Sequence, residues 1–500
     1  MEFKRAAGVL LHPTSLPGPY GVGDLGPEAH RYVDWLADAG VAWWQVLPLN
    51  TPGDGCSPYC ARSTFAWNTM LVSPDRLREE GLLEEADLRG SPEFPDGEVD
   101  NARAETFKTV VLKRAFERFD AGVRADLCGA FDAFRATHAS WLPDFALFAA
   151  LWERFGRIAW FDWPEEFALR DAPSLARWAE GHAAELRFQE FAQFLFARQW
   201  EELRRHAAGR GLRIMGDLPM FVALDSAEVW ARREVFRLDP HGRPTHVAGV
   251  PPDYFNENGQ LWGNPLYDWE ALERDDFGWW VDRIRSALET VDALRLDHFR
   301  GFASFWEVPA EERTARHGRW QPGPGRRLFD ALARRLGDLP FLAEDLGDIN
   351  QDVLDLRDSL GLPGMAVLQF AFSPEPRSTF VPYNHQRHLA VYTGTHDNNT
   401  SRGWFEEDAS DRERDFVRRY LAASNEEIHW ALIRAALASV ANLAIVPHQD
   451  LAGLGSSGRM NRPGTVRGNW GFRLTHAMLV PEIKHRLAEM IWLYGRQSSR

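Results

Sequence analysis

The segment ALRLDHFRGF (residues 293–302) poses the problem that the fold must solve. Ala293, Leu294 and Leu296 read as a buried strand, yet Arg295 and Asp297 lie two positions apart on it. Side chains alternate along a strand, so these opposite charges share one face while Leu294 and Leu296 share the other. A buried charge is costly unless it is paired. The pair is therefore either a structural ion pair or a carboxylate held ionised by an arginine for chemistry.

Seven further apolar runs end in small or polar residues in the same way. They are GVLLHPTS (8–15), WWQVLPLN (43–50), LRIMGDLPMFV (212–222), LPFLAEDLG (339–347), GMAVLQFAF (364–372), LAVYTGTHD (389–397) and LAIVPHQD (443–450). Helical spacing separates most of them, over 27–39 with Gly40 as a stop, over 325–336 and over 424–442. Near-continuous apolar strands alternating with helices predict a parallel sheet. Eight such units predict an α/β fold, a (β/α)8 TIM barrel. About 160 residues separate the second and third runs, with helical patterns over 103–120, 129–157 and 185–209. About 70 separate the third and fourth, including the loop-like AGVPPDYFNENGQLWGNPLYDW (248–269). Stretches this long are uncommon as plain loops. The reading is therefore one barrel over 1–500 with inserted, largely helical subdomains at its C-terminal rim. One insertion covers about 55–210 and a second covers about 223–290, the latter carrying a lid at 249–262.

Composition narrows the function classes. A formal charge of −15 argues against binding a phosphate backbone, so no nucleic-acid partner is expected. No run approaches the ~20 apolar residues of a membrane span, and the N-terminal apolar run is too short for a signal peptide. Three cysteines, Cys56, Cys60 and Cys128, form neither a disulfide framework nor a zinc spacing. A cytoplasmic location, no cofactor and no metal are the expectations. The 21 tryptophans suit either a large core or stacking on sugar rings.

Polar residues recur where strands end: His12, Asp217, Arg295–Asp297–His298, Glu344–Asp345, His396–Asp397 and His448–Asp450. The C-terminal face of such a barrel carries the active site, and repeated clusters at one rim favour the chemical reading of Arg295–Asp297. Several carboxylates with aromatic neighbours, and no phosphate-loop or dinucleotide motif, fit glycosidic-bond chemistry. One carboxylate, Asp297 beside Arg295, stays ionised as a nucleophile. A second, raised by facing that anion, supplies a proton. Periodicity does not choose between Glu344 and Asp345. A metal site built from His12, His298, His396 and Asp397 is the competing use of these groups, and the nearby arginine argues against it.

The chain resembles the amylomaltases, the 4-α-glucanotransferases or disproportionating enzymes of glycoside hydrolase family 77, over essentially its full length. The matching stretches run in order: HPTSLPGPYGVGDLG (12–26), WWQVLPLN (43–50), SPY (57–59), GDLPMFVALDSAEVW (216–230), 248–269, RLDHFRGF (295–302), AEDLG (343–347), THDNNT (395–400), NRPGT (461–465) and GNW (468–470). The resemblance implies retaining transfer of α-1,4-glucan segments from a donor to a glucose or glucan acceptor. By motif it implies Asp297 as nucleophile, Glu344 as acid/base and Asp397 as a third carboxylate. Tyr59, Asp217, Arg295, His298, His396 and Asn469 would then meet the sugar. Asp253, Phe255, Gln260 and Trp262 would lie on a lid that keeps water from the intermediate. Two positions depart from the pattern: Cys56 stands where an acidic residue usually precedes SPY, and Trp67 stands where a glycine usually precedes Asn68. Both are expected to affect the outer glucan groove. An α-glucan hydrolase with the same carboxylates, or a non-catalytic glucan-binding protein, are the alternatives.

Overall fold

The computed structural model describes residues 3–252, 256–372, 378–465 and 467–498. Eight parallel strands form one sheet; seven fall inside runs read from the sequence, and the first begins two residues before its run and overlaps it. They are β1 (Ala6–Leu10), β2 (Trp43–Gln45), β3 (Arg213–Leu218), β4 (Ala293–Leu296), β5 (Phe341–Ala343), β6 (Gly364–Val367), β7 (Leu389–Tyr392) and β8 (Leu443–Pro447). The sheet runs β6-β7-β8-β1-β2-β3-β4-β5. The remaining edges meet where Ala343 N–H donates to the Pro363 carbonyl at 2.9 Å. The result is a nearly closed barrel. The strands are shorter than the apolar runs, so most of the polar residues lie just beyond the C-terminal strand ends. Asp217, inside β3, and Arg295, inside β4, are the exceptions.

The barrel interior is filled rather than open. Leu10, Trp43, Met215, Leu342, Met365, Tyr392 and Ile445 belong to one buried cluster, and Tyr392 donates to Gln45 Oε1 at 2.9 Å within it. This packed floor supports the rim above it. Most of the tryptophans serve the core; Trp43, Trp44, Trp160, Trp230 and Trp280 are fully buried.

Outer helices follow the apolar spacing. One covers Pro27–Asp38, with proline in its first turn, and the chain turns away at Gly40 in the left-handed region. Others cover Arg326–Leu336 and Ile428–Ala438. Between β2 and β3 lie helices Asn101–Asp120, Cys128–Thr137, Leu142–Arg154 and Ala183–Gly209. The helical pattern over 129–157 is two helices, the second with proline in its first turn. Trp67 packs among these helices, stacked on Phe196 at 5.4 Å and edge-on to Trp141 at 5.5 Å. It is a buried core residue.

The stretch 248–269, read from sequence as a loop, instead contributes to two strands. His246–Val250, Gln260–Pro265, Ser304–Pro309 and Arg319–Pro322 form a four-stranded antiparallel sheet. Its last two strands directly follow the β4 exit, so this sheet joins the proposed lid to the Asp297 segment.

Candidate active site

Register explains how the central charges meet. Asp217 on β3 pairs directly with Arg295 on β4, so both side chains point the same way from neighbouring strands. Arg295 Nη1 donates to Asp217 Oδ1 and Oδ2 at 2.8 and 2.7 Å, and to Asp297 Oδ1 at 2.9 Å. Burial disfavours the guanidinium charge, but Asp217 and Asp297 outweigh it and keep the proton bound more firmly than usual. Asp217 is itself buried, and burial moves its carboxyl upward against the pull of Arg295. The arginine is thus shared between a buried aspartate and Asp297, whose side chain is 27% exposed.

Glu344 follows β5 directly. Its Oε2 accepts from the His298 backbone N–H at 2.8 Å and its Oε1 from Leu346 N–H at 3.0 Å. Burial pushes its carboxyl up to about 7; Arg295 opposes the rise and Asp297 adds to it. The facing anion contributes as expected from sequence, but burial is the larger cause. Asp345 points the other way, as alternation requires. It accepts from Met365 N–H at 2.7 Å and pairs with Arg357, which leaves Glu344 as the carboxyl in the site.

His298 adopts a left-handed backbone conformation (φ 51°), uncommon for a residue with a side chain. This turn aims its N–H at Glu344. Burial pulls its imidazole down to about 4, so the ring is neutral at pH 7, and its Nε2 is buried without a partner. Trp262 meets this ring edge-on at 4.8 Å and donates from Nε1 to Gln260 Oε1 at 3.2 Å.

After β7, the Asp397 side chain is held by Asn461 Nδ2 at 2.6 Å and lies 3.3 Å from His396 Nε2. Arg459 fixes the Asp397 carbonyl at 2.8 Å. Tyr59 stacks on His396 (4.8 Å between ring centroids) and donates to Asp217 Oδ2 at 2.8 Å. Trp470 flanks both rings at 6.0 Å. A cleft adjoins this side, lined among others by His12, Asn50, Cys56, Pro58 and Trp470.

Asp217, Arg295, Asp297, Glu344, Tyr59, His298, His396, Asp397 and Trp262 therefore come together, with Gln260 joined through Trp262. Asn469 spends its side chain on its own loop, accepting from Arg462 N–H at 2.9 Å and donating to the Thr465 carbonyl at 2.9 Å. Asp253 and Phe255 lie outside the described residues. His448 and Asp450, read as rim groups, are structural: His448 contacts Tyr32 and the Met478 carbonyl, and Asp450 binds Thr393 and Ser401. The sequence reading did not single out Asn461, Arg459 or Trp470, although Asn461 and Trp470 fall in two of the quoted motifs. Among the described residues, no three His, Cys, Asp or Glu side chains converge as metal ligands do.

Residues 11–478 match the family model described as 4-alpha-glucanotransferase. The chain is 46% identical to the 4-alpha-glucanotransferase of Synechocystis over 99% of its length and 98% of that protein. It is 48% identical to that of Thermus thermophilus over 98% of its length and 99% of that protein. Its structure superposes on amylomaltase from Streptococcus agalactiae in complex with acarbose with a TM-score of 0.95 and 38% identity, covering 99% of this chain and 100% of that one.

Proposed function

The chain belongs to the 4-alpha-glucanotransferase family, enzymes that move α-1,4-glucan segments to an acceptor by double displacement with retention, and from that membership we propose that Asp297, Glu344 and Asp397 carry the reaction. Asp297 attacks the anomeric carbon of the donor. The glycosidic C–O bond breaks as Glu344 gives its proton to the leaving oxygen. An acceptor hydroxyl then attacks the same carbon, the bond to Asp297 breaks, and the hydroxyl proton passes to Glu344. Asp397 grips sugar hydroxyls and favours a distorted ring at the cleaved bond.

The observation that carries this reading is the unequal treatment of two neighbouring carboxyls. Arg295 bonds Asp297 directly, while Glu344 is buried and pushed up to about 7. Divergent environments are how one site holds both an anion and an acid at neutral pH. Tyr59, Asp217, Arg295, His298 and His396 surround the donor sugar. Gln260 and Trp262 cover it, and Asn469 shapes the facing loop. We read residues 1–500 as one barrel, with insertions over about 55–210 and 223–290 and the lid at 249–262. Donors are maltooligosaccharides and starch- or glycogen-derived chains, and glucose or glucan is the acceptor. No helix among the described residues is long and apolar enough to cross a membrane. A sequence of three cysteines with no disulfide framework fits a reducing cytoplasm.

The test is direct. Glu344→Gln is mixed with α-maltosyl fluoride, digested and analysed by mass spectrometry. The added maltosyl mass is expected on the peptide containing Asp297, and its appearance on any other carboxylate overturns the assignment.

A further inference from the structure

Arg283 is a fully buried cation whose bonds all go to neutral oxygens. Its Nε donates to Thr64 Oγ1 at 2.8 Å, Nη1 to the Met220 carbonyl and to Tyr267 Oη, both at 3.0 Å, and Nη2 to the Pro219 carbonyl at 2.5 Å. Tyr267 Oη donates to the same Met220 carbonyl at 2.9 Å. The buried Glu228 carboxylate is its charged neighbour, without a direct bond, and a charge buried this way costs stability that an apolar side chain of similar size would not. What it provides is a rigid planar fork that fixes several segments at once.

Those segments converge on the site. Pro219 and Met220 follow Asp217, Thr64 lies in the loop that carries Tyr59, and Tyr267 follows the strand that carries Trp262. Met220 then meets the turn after Asp297. A Cβ placed on Gly301 would lie within 3.0 Å of both Met220 Sδ and Cε, and 3.1 Å from His298 Cδ2. Only glycine there lets Met220 seat against the turn. Gly301 N–H closes that turn by donating to the His298 carbonyl at 2.9 Å. The His298 N–H in turn binds Glu344.

We propose that Arg283 is a positioning residue for Glu344: its guanidinium fixes the Pro219–Met220 backbone, and Met220 seats the His298–Gly301 turn that aims the His298 N–H at the Glu344 carboxyl. This rests on the reading of Glu344 as the acid/base. The charged groups facing Glu344 are Arg295 and Asp297 from the β4 side. Its remaining partners are the Leu346 and His298 N–H groups. A hydrogen bond to the ionised carboxylate lowers its pKa, so loosening the His298 bond moves Glu344 upward.

The experiment compares Arg283→Lys and Tyr267→Phe with the parent protein, measuring kcat/KM across pH on maltotriose and on α-maltosyl fluoride. The fluoride leaves without needing a proton from Glu344, whereas the maltotriose oxygen needs one. Arg283→Lys is expected to lose about tenfold on maltotriose and less than about twofold on the fluoride, since small misplacements of an acid cost this much. Its alkaline limb on maltotriose is expected to move up by about half a pH unit. Tyr267→Phe keeps the core filled and shows the same pattern more weakly, so the test holds even if Arg283→Lys does not fold. Equal losses on both donors with an unmoved limb make Arg283 a core anchor only and overturn the proposal. A parent profile without an alkaline limb on maltotriose overturns the Glu344 assignment itself, and the role of Arg283 with it.

Discussion

Arg295 uses a single nitrogen to hold both oxygens of Asp217, at 2.8 and 2.7 Å, and Asp297 lies within reach of that same nitrogen. One cation on β4 thus neutralises a buried aspartate and also reaches Asp297, so the two readings of ALRLDHFRGF do not exclude each other. Arg295→Met leaves Asp217 buried without its cation, a change that costs about 3–5 kcal/mol when one partner of a buried pair is removed. It is expected to lower Tm and abolish transfer from maltotriose. The double variant Asp217→Asn with Arg295→Met removes both charges and is expected to recover much of the Tm but none of the activity. A double-mutant cycle on denaturant unfolding measures the coupling. A recovered activity would mean that Arg295 acts only through folding.

Glu344 sets a pH dependence with a defined sign. Its folded value of about 7 lies above the ordinary glutamate value, and the glycosylation step needs the protonated form. As pH rises through about 7 the acid is lost, so kcat/KM on maltotriose is expected to fall with an alkaline limb there. The same linkage acts on stability. An unfolded chain gives up this proton near the ordinary value while the folded one retains it, so the contribution to stability is full at low pH and declines as pH rises toward about 7. With α-maltosyl fluoride the alkaline limb of glycosylation is expected to vanish. Glu344→Gln is expected to release a burst of about one fluoride per enzyme and then stall, because the second step lacks its base.

The barrel was legible because each strand repeats one pattern, an apolar run that stops at a polar residue, and local periodicity is enough to detect that. The candidate site was legible where a motif places a side chain just beyond a strand end, as at Asp297, Glu344 and Asp397. It was less legible where long-range partners decide. Asp345 and Glu344 are equivalent by composition, and only Arg357 and the Met365 N–H take Asp345 out of the site. His448 and Asp450 look like rim groups until Tyr32, Thr393 and Ser401 consume them. The hairpin strands 246–250 and 260–265 were hidden by the proline, asparagine and glycine of the turn between them. The pairing of 246–250 with 304–309 spans about 60 residues of chain.

Asn461 is expected to matter to catalysis although it is not itself a carboxylate. It donates to Asp397 Oδ1 at 2.6 Å and so fixes the rotamer with which Asp397 meets a sugar. Asn461→Ala frees that side chain, and kcat on maltotriose is expected to drop about tenfold, while Asp397→Asn drops it by about a thousandfold, a difference typical of supporting and direct contacts. Steady-state kinetics with both variants checks the ranking. An Asn461→Ala enzyme with unchanged kcat would show that Asp397 holds its orientation without this bond.

Trp262 is expected to separate transfer from hydrolysis. Its ring stands edge-on to His298 at 4.8 Å and is 37% exposed, so it closes one side of the site without belonging to the core. The glycosyl intermediate can be taken by an acceptor hydroxyl or by water, and an aromatic wall beside it both excludes water and offers a face to a sugar ring. Trp262→Ala is expected to leave stability within about 0.5 kcal/mol of the parent, as for other substitutions outside the core. The product pattern changes instead. Incubated with maltotriose alone, the parent protein should give glucose and a ladder of longer maltooligosaccharides. The variant should shift toward glucose and maltose, with several-fold less of the longer products at equal donor consumption. An unchanged ladder would place the barrier to water elsewhere in the lid.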